Sequence, residues 1–231
     1  CQNGSFKYSN DGIYNPSNDT IFYQVYDGGC KSNTYAIINF DDSPDTKSWT
    51  QLGQTLGGDT RQNINQYIDF FKIASYELLW DDLIIACVKT GKPLILSTGM
   101  ATMDEIRHAV EITNKNGCQN LTLLHCTSAY PTPYEEANLA AIATLRNEFG
   151  CKVGWSDHTV DPGVINRAVN RWAAEVIEFH MDLEGTGEEF GSGHCWLPND
   201  IAPVIEQLRH GLIADGDGVK KPQESELWGR A

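Results

Sequence analysis

The chain has 231 residues, 41% of them hydrophobic, and a formal net charge of -14. Its length supports one sizeable core and falls near the ~250 residues typical of a (β/α)8 barrel, and so acidic a surface has no basic face to displace counterions from nucleic-acid phosphates, while still allowing a small, locally neutralised anion to bind. No apolar run approaches the ~18 residues of a membrane span, and the first residues show neither the basic nor the apolar segment of a leader, so the chain reads as a soluble, cytoplasmic protein with no membrane partner.

Residues 1–60 form an atypical N-terminal region, rich in Asn, Asp, Ser, Gly and Tyr, with candidate strands at 21–26 and 35–40 and no crossover helix between them. From about residue 61 to 231 a βα unit repeats. Strand-like runs stand at Phe70–Ser75, Pro93–Thr98, Leu121–Cys126, Cys151–Asp157 and Val176–Leu183. Between them, Met103 to Val110 carries acids in its first turn, and Glu136 to Phe149 has apolar residues at helical spacing before Gly150; a further helix is expected at Ile201. Strand starts recur every ~22–30 residues, as right-handed parallel βα units require. The fold class read from this is α/β, a TIM-like (β/α) barrel that is incomplete on its N-terminal side, because an eightfold barrel needs three units before residue 70 and only about two strands are visible there. A chain that starts at Cys1 and stops at Ala231 without a cap or turn signal is read as part of a longer protein.

Two of these runs end on histidines, His158 after Val153–Asp157 and His180 after Val176–Phe179. Side chains alternate along a strand, so Glu178 and His180 share one face while Ile177 and Phe179 take the helix-packed other. By the same parity Gly154, Ser156 and His158 point inward, and Lys72 places an ammonium inside a strand, which is rare without an anionic partner or ligand. The alternative for either histidine is a structural hydrogen bond. Together, however, two imidazoles, an ammonium, hydroxyls and carboxylates suit a divalent metal and a phosphorylated anion. The Ser97-Thr98-Gly99-Met100 turn is either a helix cap or, through hydroxyls and backbone N–H groups at a helix N-terminus, a phosphate seat. His108 and His210 read as solvated, and His125 as either inward or packed. The seven cysteines are scattered with no CxxC pair, so neither a disulfide framework nor a zinc ribbon is indicated, and most read as buried, inert thiols.

Five ordered segments carry a resemblance. Phe71-Lys72-Ile73-Ala74-Ser75, Gly91 to Thr102, Leu124-His125-Cys126-Thr127-Ser128-Ala129-Tyr130-Pro131-Thr132-Pro133-Tyr134, Gly154-Trp155-Ser156-Asp157-His158-Thr159 and Val176-Ile177-Glu178-Phe179-His180 resemble, in order and spacing, the catalytic barrel of N-acetylneuraminate (sialic acid) synthases, the NeuB-like family. The resemblance runs from about residue 68 to 210. It implies a transferase of carbohydrate biosynthesis that condenses phosphoenolpyruvate with an N-acetylated amino-sugar aldehyde, such as N-acetylmannosamine, to a nine-carbon 2-keto acid and phosphate. It further implies that His158 and His180 hold a Mn2+ or Mg2+ ion, that Lys72, Ser75, Ser97, Ser128, Tyr130 and Ser156 line the phosphoenolpyruvate pocket, that Glu77 lies near the reacting carbons, and that Glu178 is an inward acid behind them. Lys72, Glu77, His158 and His180 form the implied catalytic set.

After His180 this chain reads Met-Asp-Leu-Glu-Gly-Thr-Gly-Glu-Glu-Phe-Gly-Ser-Gly-His-Cys-Trp, where better-known members carry a stretch like Pro-Gly-Pro-Asp-His whose Asp contacts the sugar. Glu188, Glu189 and His194, with Asp182, are the sugar-side candidates, and Glu184 to Trp196 is expected to be a mobile loop over the sugar rather than a ninth strand. The family's early strands supply a further phosphate-binding Lys and an active-site Glu with no counterpart visible in residues 1–60. The alternatives weighed are another phosphoenolpyruvate- or pyruvate-using aldolase-type barrel, and an inactive barrel fragment serving as a binding module. A homo-oligomer is compatible with the sequence.

Overall fold

The computed structural model describes residues 70–230 together with three short strands of the N-terminal region, β1 (Thr20–Ile21), β2 (Gln24–Val25) and β3 (Ala36–Asn39). Residues 70–230 continue through β4 (Phe71–Ile73), α1 (Asp81–Val88), β5 (Leu94–Ser97), α2 (Met103–Lys115), β6 (Leu121–His125), α3 (Ala141–Phe149), β7 (Lys152–Asp157), α4 (Pro162–Trp172), β8 (Val176–Met181), α5 (Glu188–Gly191), β9 (Cys195–Trp196) and α6 (Pro198–Asp215). Strands β4 to β8 are parallel neighbours in sequence order. Each pair is joined by a helix that returns over the outer face, so the sheet curves as a TIM-like (β/α) barrel wall, and among the described residues that barrel is partial.

The helices start and stop where local chemistry directs. Thr102 caps α2 in a reciprocal box with Glu105, its hydroxyl accepting the Glu105 N–H at 3.3 Å while the carboxylate accepts the Thr102 N–H at 2.7 Å. Asp161 caps α4 by accepting the Gly163 and Val164 N–H groups, and Gly150 ends α3 at φ +62°. The helix expected from Glu136 is a 3-10 turn at Tyr134–Glu136 followed by α3, and the helix expected at Ile201 starts three residues earlier, at Pro198.

Parity along the strands divides the side chains. Ile73, Leu96, Leu123, Val153, Trp155, Ile177 and Phe179 face the helices and are buried in one core with Ile84, Ile106, Ile142, Ile165 and Ile205. Fully burying an aliphatic or aromatic side chain contributes roughly 1.5–3 kcal/mol, so this outer layer carries the stability and frees the inner face for polar groups. The inner face has an apolar floor of Ile95, Leu124 and Val176 with Phe70 against it. Gly154 belongs to this floor by necessity: a Cβ there would overlap the Val176 carbonyl oxygen and Leu124.

The N-terminal strands join this sheet differently. β3 runs antiparallel to β8, pairing Ile37 with Glu178 and Asn39 with Val176, and β1 is antiparallel to β3. β2 and β9 both pair in parallel with His180 and Met181 at the end of β8. Cys195–Trp196 is therefore a ninth strand, and Glu188–Gly191 is a helical turn, which corrects the expectation of a strand-free mobile loop from Glu184 to Trp196. Two tertiary clamps produce the ordering that a glycine-rich composition disfavours. Asp182 accepts the backbone N–H groups of Glu184, Gly185 and Gly187 at 2.7–2.9 Å, and the Trp196 indole donates to the buried Asp157 carboxylate at 3.1 Å.

Candidate active site

Above the apolar floor, the inward positions of β4, β5, β7 and β8 are polar and buried. Lys72 Nζ lies 3.3 Å from Glu178 Oε1, and both side chains are nearly inaccessible, at 8% and 3% exposure. Ser156, the register partner of Glu178 across β7 and β8, donates its hydroxyl to the same oxygen at 2.7 Å. Burial pushes the Glu178 carboxyl up, but Lys72 and the Ser156 hydroxyl outweigh it and hold the group ionised below its ordinary range. Three buried polar atoms here, Ser97 Oγ, Ser128 Oγ and Glu178 Oε2, have no hydrogen-bond partner among the described residues. Such atoms normally cost about 1–3 kcal/mol each unless a ligand or water satisfies them.

Ser75 completes this hydroxyl group from the turn after β4. Its Oγ accepts the Gly99 N–H at 3.0 Å. A Cβ at Gly99 would overlap Ser128 Oγ and Ser75 Oγ, so the glycine lets three elements converge. Glu77, two residues further on, is half-buried in the same 3-10 turn. In the Ser97-Thr98-Gly99-Met100 turn the Thr98 and Gly99 N–H groups go to the Leu124 carbonyl and to Ser75 Oγ, and at the start of α2 the Glu105 carboxylate accepts the Thr102 N–H and hydroxyl.

The next layer is aromatic. The rings of His158 and His180 are 5.2 Å apart, and Tyr130 lies over both, at 4.4 Å from His158 and 5.9 Å from His180. His158 Nδ1 is 2.9 Å from the Thr127 carbonyl oxygen, and His180 Nδ1 is 3.0 Å from Glu189 Oε2. A carbonyl and a carboxylate can only accept, so both imidazoles present a proton on Nδ1, and in the neutral ring that tautomer leaves the lone pair on Nε2. Burial, followed by the neighbouring His180, pushes His158 down to about 3, so its ring stays neutral. Fixed tautomers with a free Nε2 are the usual form of a metal-binding histidine, and the donor chemistry fits a divalent ion. Burial lifts the Tyr130 phenol to about 12, which keeps it a proton donor.

The structure thus brings Lys72, Ser75, Ser97, Ser128, Tyr130, Ser156, Glu178, His158 and His180 to one inner face. Of the sugar-side candidates, Glu188 is exposed, whereas Glu189 and the buried His194 are drawn into the histidine layer, with His194 5.0 Å from His180. Asp182 is spent on loop backbone. His125 is a packing residue, its Nε2 3.0 Å from the Ala137 carbonyl and its ring against Trp155, and burial raises the Cys126 and Cys151 thiols, as inert residues require. Sequence reasoning missed Asp157, which is fully buried and bonded to both Trp155 and Trp196. Its outward parity was the available signal, since a carboxylate on the helix side of a buried strand demands partners.

Residues 61–220 match the family model described as the NeuB family. The chain belongs to the NeuB family. A NeuB relative from Campylobacter jejuni, N,N'-diacetyllegionaminic acid synthase, is 39% identical over 69% of this chain and 48% of its own length. Pseudaminic acid synthase of Helicobacter pylori is 34% identical over 64% of this chain and 43% of its own. The crystal structure of the N-acetylneuraminic acid synthetase of Leptospira borgpetersenii, in complex with citrate, superposes with a TM-score of 0.60 at 32% identity, covering 70% of this chain and 56% of that one. A truncated 3-deoxy-D-arabino-heptulosonate 7-phosphate synthase from Thermotoga maritima shares the fold, with a TM-score of 0.54 at 18% identity. This chain spans about half the length of the curated relatives it matches. Among the described residues, no helix is long and apolar enough to cross a membrane.

Proposed function

We propose that the protein containing this chain condenses phosphoenolpyruvate with an N-acetylated amino-sugar aldehyde, such as N-acetylmannosamine, to a nine-carbon 2-keto acid and phosphate. The observation that carries this reading is the buried polar layer: the Lys72–Glu178 pair, three polar atoms with no hydrogen-bond partner among the described residues, and two histidines held through Nδ1 by acceptors.

In this reading Lys72 and the hydroxyls of Ser75, Ser97, Ser128 and Ser156 receive the phosphate and carboxylate oxygens of phosphoenolpyruvate, in a site dry enough for each contact to count. Tyr130 covers them as a donor. His158 and His180 would hold a divalent ion, Mn2+ or Mg2+, which when bound supplies Lewis-acid polarisation of the sugar aldehyde. The C3 carbon of phosphoenolpyruvate then forms a bond to the aldehyde carbon, water adds to C2, and phosphate leaves as the ketone forms. Glu178 keeps Lys72 charged and in place, and Glu77 lies on the turn bordering the reacting carbons. The exposed Glu188 is the sugar-side acid left accessible, and residues 61–231 act as the catalytic barrel portion.

The test is phosphate release by the complete protein from phosphoenolpyruvate, with a panel of mono- and di-N-acetylated amino sugars. Release that requires both substrates and a divalent ion, and that is lost in His158→Ala and Lys72→Met, is the expected result. Release independent of the amino sugar contradicts the reading.

A further inference from the structure

The segment from Glu188 to Trp196 gathers donors of mixed softness around one point. Cys195 is the register partner of His180 across β8 and β9, so the two side chains leave the sheet on the same face. Glu189 Oε2 lies 3.0 Å from His180 Nδ1, 3.7 Å from Cys195 Sγ and 3.9 Å from His194 Nε2. One donor atom from each of the four residues falls within 4.8 Å of all the others, and His194 and Cys195 are buried. Ser192 Oγ sits 2.8 Å from His194 Nδ1, which directs the other ring nitrogen to Glu189. The Asp182 and Trp196 clamps hold both ends of the segment.

We propose that His180, Glu189, His194 and Cys195 form a four-donor site for a borderline-soft divalent transition ion of the zinc class. Bonds of about 2.0–2.3 Å to a tetrahedral centre place ligand atoms about 3.3–3.8 Å apart. The separations from Glu189 Oε2 already bracket that range, so a shift of under about 1 Å closes the set. Two imidazoles, a carboxylate and a thiolate favour Zn2+ or Co2+, whereas Mg2+ demands an oxygen-rich octahedron. Binding releases the Cys195 thiol proton and moves the His180 proton from Nδ1 to Nε2. A neutral imidazole has one in-plane lone pair, so an ion here excludes one held by His180 Nε2 beside His158. The site goes beyond the proposed reaction and requires no part of it.

The experiment is a Co2+ titration of the metal-free full chain, read by absorption. The site predicts a cobalt–thiolate charge-transfer band that saturates at one ion per chain. The band persists in excess Mg2+ and in His158→Ala, and disappears in Cys195→Ser. Glu189→Gln, which keeps the side-chain shape, weakens Co2+ binding about tenfold or more and decides the matter should Cys195→Ser not fold. Co2+ binding without a thiolate band, a band surviving Cys195→Ser, unaltered affinity in Glu189→Gln, or no binding overturns the proposal. Failure of the condensation assay leaves each of these readings untouched.

Discussion

Lys72 and Glu178 stand 3.3 Å apart on β4 and β8, strands at opposite ends of the parallel run, and each is buried. Their pairing spans the barrel interior and joins its charge balance to its chemistry. Lys72→Met is expected to reduce phosphoenolpyruvate affinity or turnover by one to three orders of magnitude, roughly 1.4–4 kcal/mol. It also leaves Glu178 buried with less compensation, at a cost of about 3–5 kcal/mol in stability. Adding Glu178→Gln restores much of the denaturation midpoint and none of the activity. Additive losses of stability in the double variant contradict the coupling.

Two glycines separate site from scaffold. In Gly99→Ala the new methyl meets the side-chain hydroxyls of Ser75 and Ser128, which can give way, so the protein folds and the KM for phosphoenolpyruvate rises about tenfold or more. In Gly154→Ala the obstacle is the Val176 carbonyl, so stability falls by about 1–3 kcal/mol. Steady-state kinetics and chemical denaturation of both variants check the contrast.

Trp196→Phe removes the indole N–H that reaches Asp157, leaving a buried carboxylate short of one donor. Stability is expected to fall by about 1–3 kcal/mol. Hydrogen exchange should rise in residues 184–196 and remain unchanged in β5 and β6. Uniform exchange in that segment for wild type and variant contradicts the clamp.

The partly buried His125 has its imidazole lowered chiefly by burial, against two backbone carbonyls that raise it. A depressed folded pKa means that the unfolded chain binds the proton first, so stability present above about pH 6.5 is lost as the pH falls toward the folded value. His125→Phe should therefore give a shallower fall of melting temperature between about pH 7 and pH 5 than wild type. Equal slopes contradict this sign.

The inward histidines were readable because parity and strand termination are local properties: Glu178 and His180 alternate with Ile177 and Phe179, and only one face can pack on helices. The five motifs carried the family for the same reason. The Glu189, His194 and Cys195 grouping was not readable, since it depends on a short helical turn and on the β8–β9 register, neither of which has a periodic signal. β9 itself is two residues long and is held by the Asp157 contact, a tertiary effect that overrides its glycine-rich approach. The candidate strands at 21–26 and 35–40 reappear as shorter segments, but the antiparallel pairing of β3 with β8 has no counterpart in local pattern. Other readings on residues 1–60 lie outside the described residues.

The most direct measurement follows the carbon–carbon bond. The complete protein is given phosphoenolpyruvate labelled with 13C at C3, an N-acetylated amino sugar and Mn2+, and the product is read by 13C NMR. The account predicts that the label moves into a methylene carbon coupled to the former aldehyde carbon of the sugar, with one phosphate released per bond formed, and that His158→Ala abolishes both signals. Label recovered as pyruvate, or phosphate released without a new carbon–carbon coupling, would contradict it.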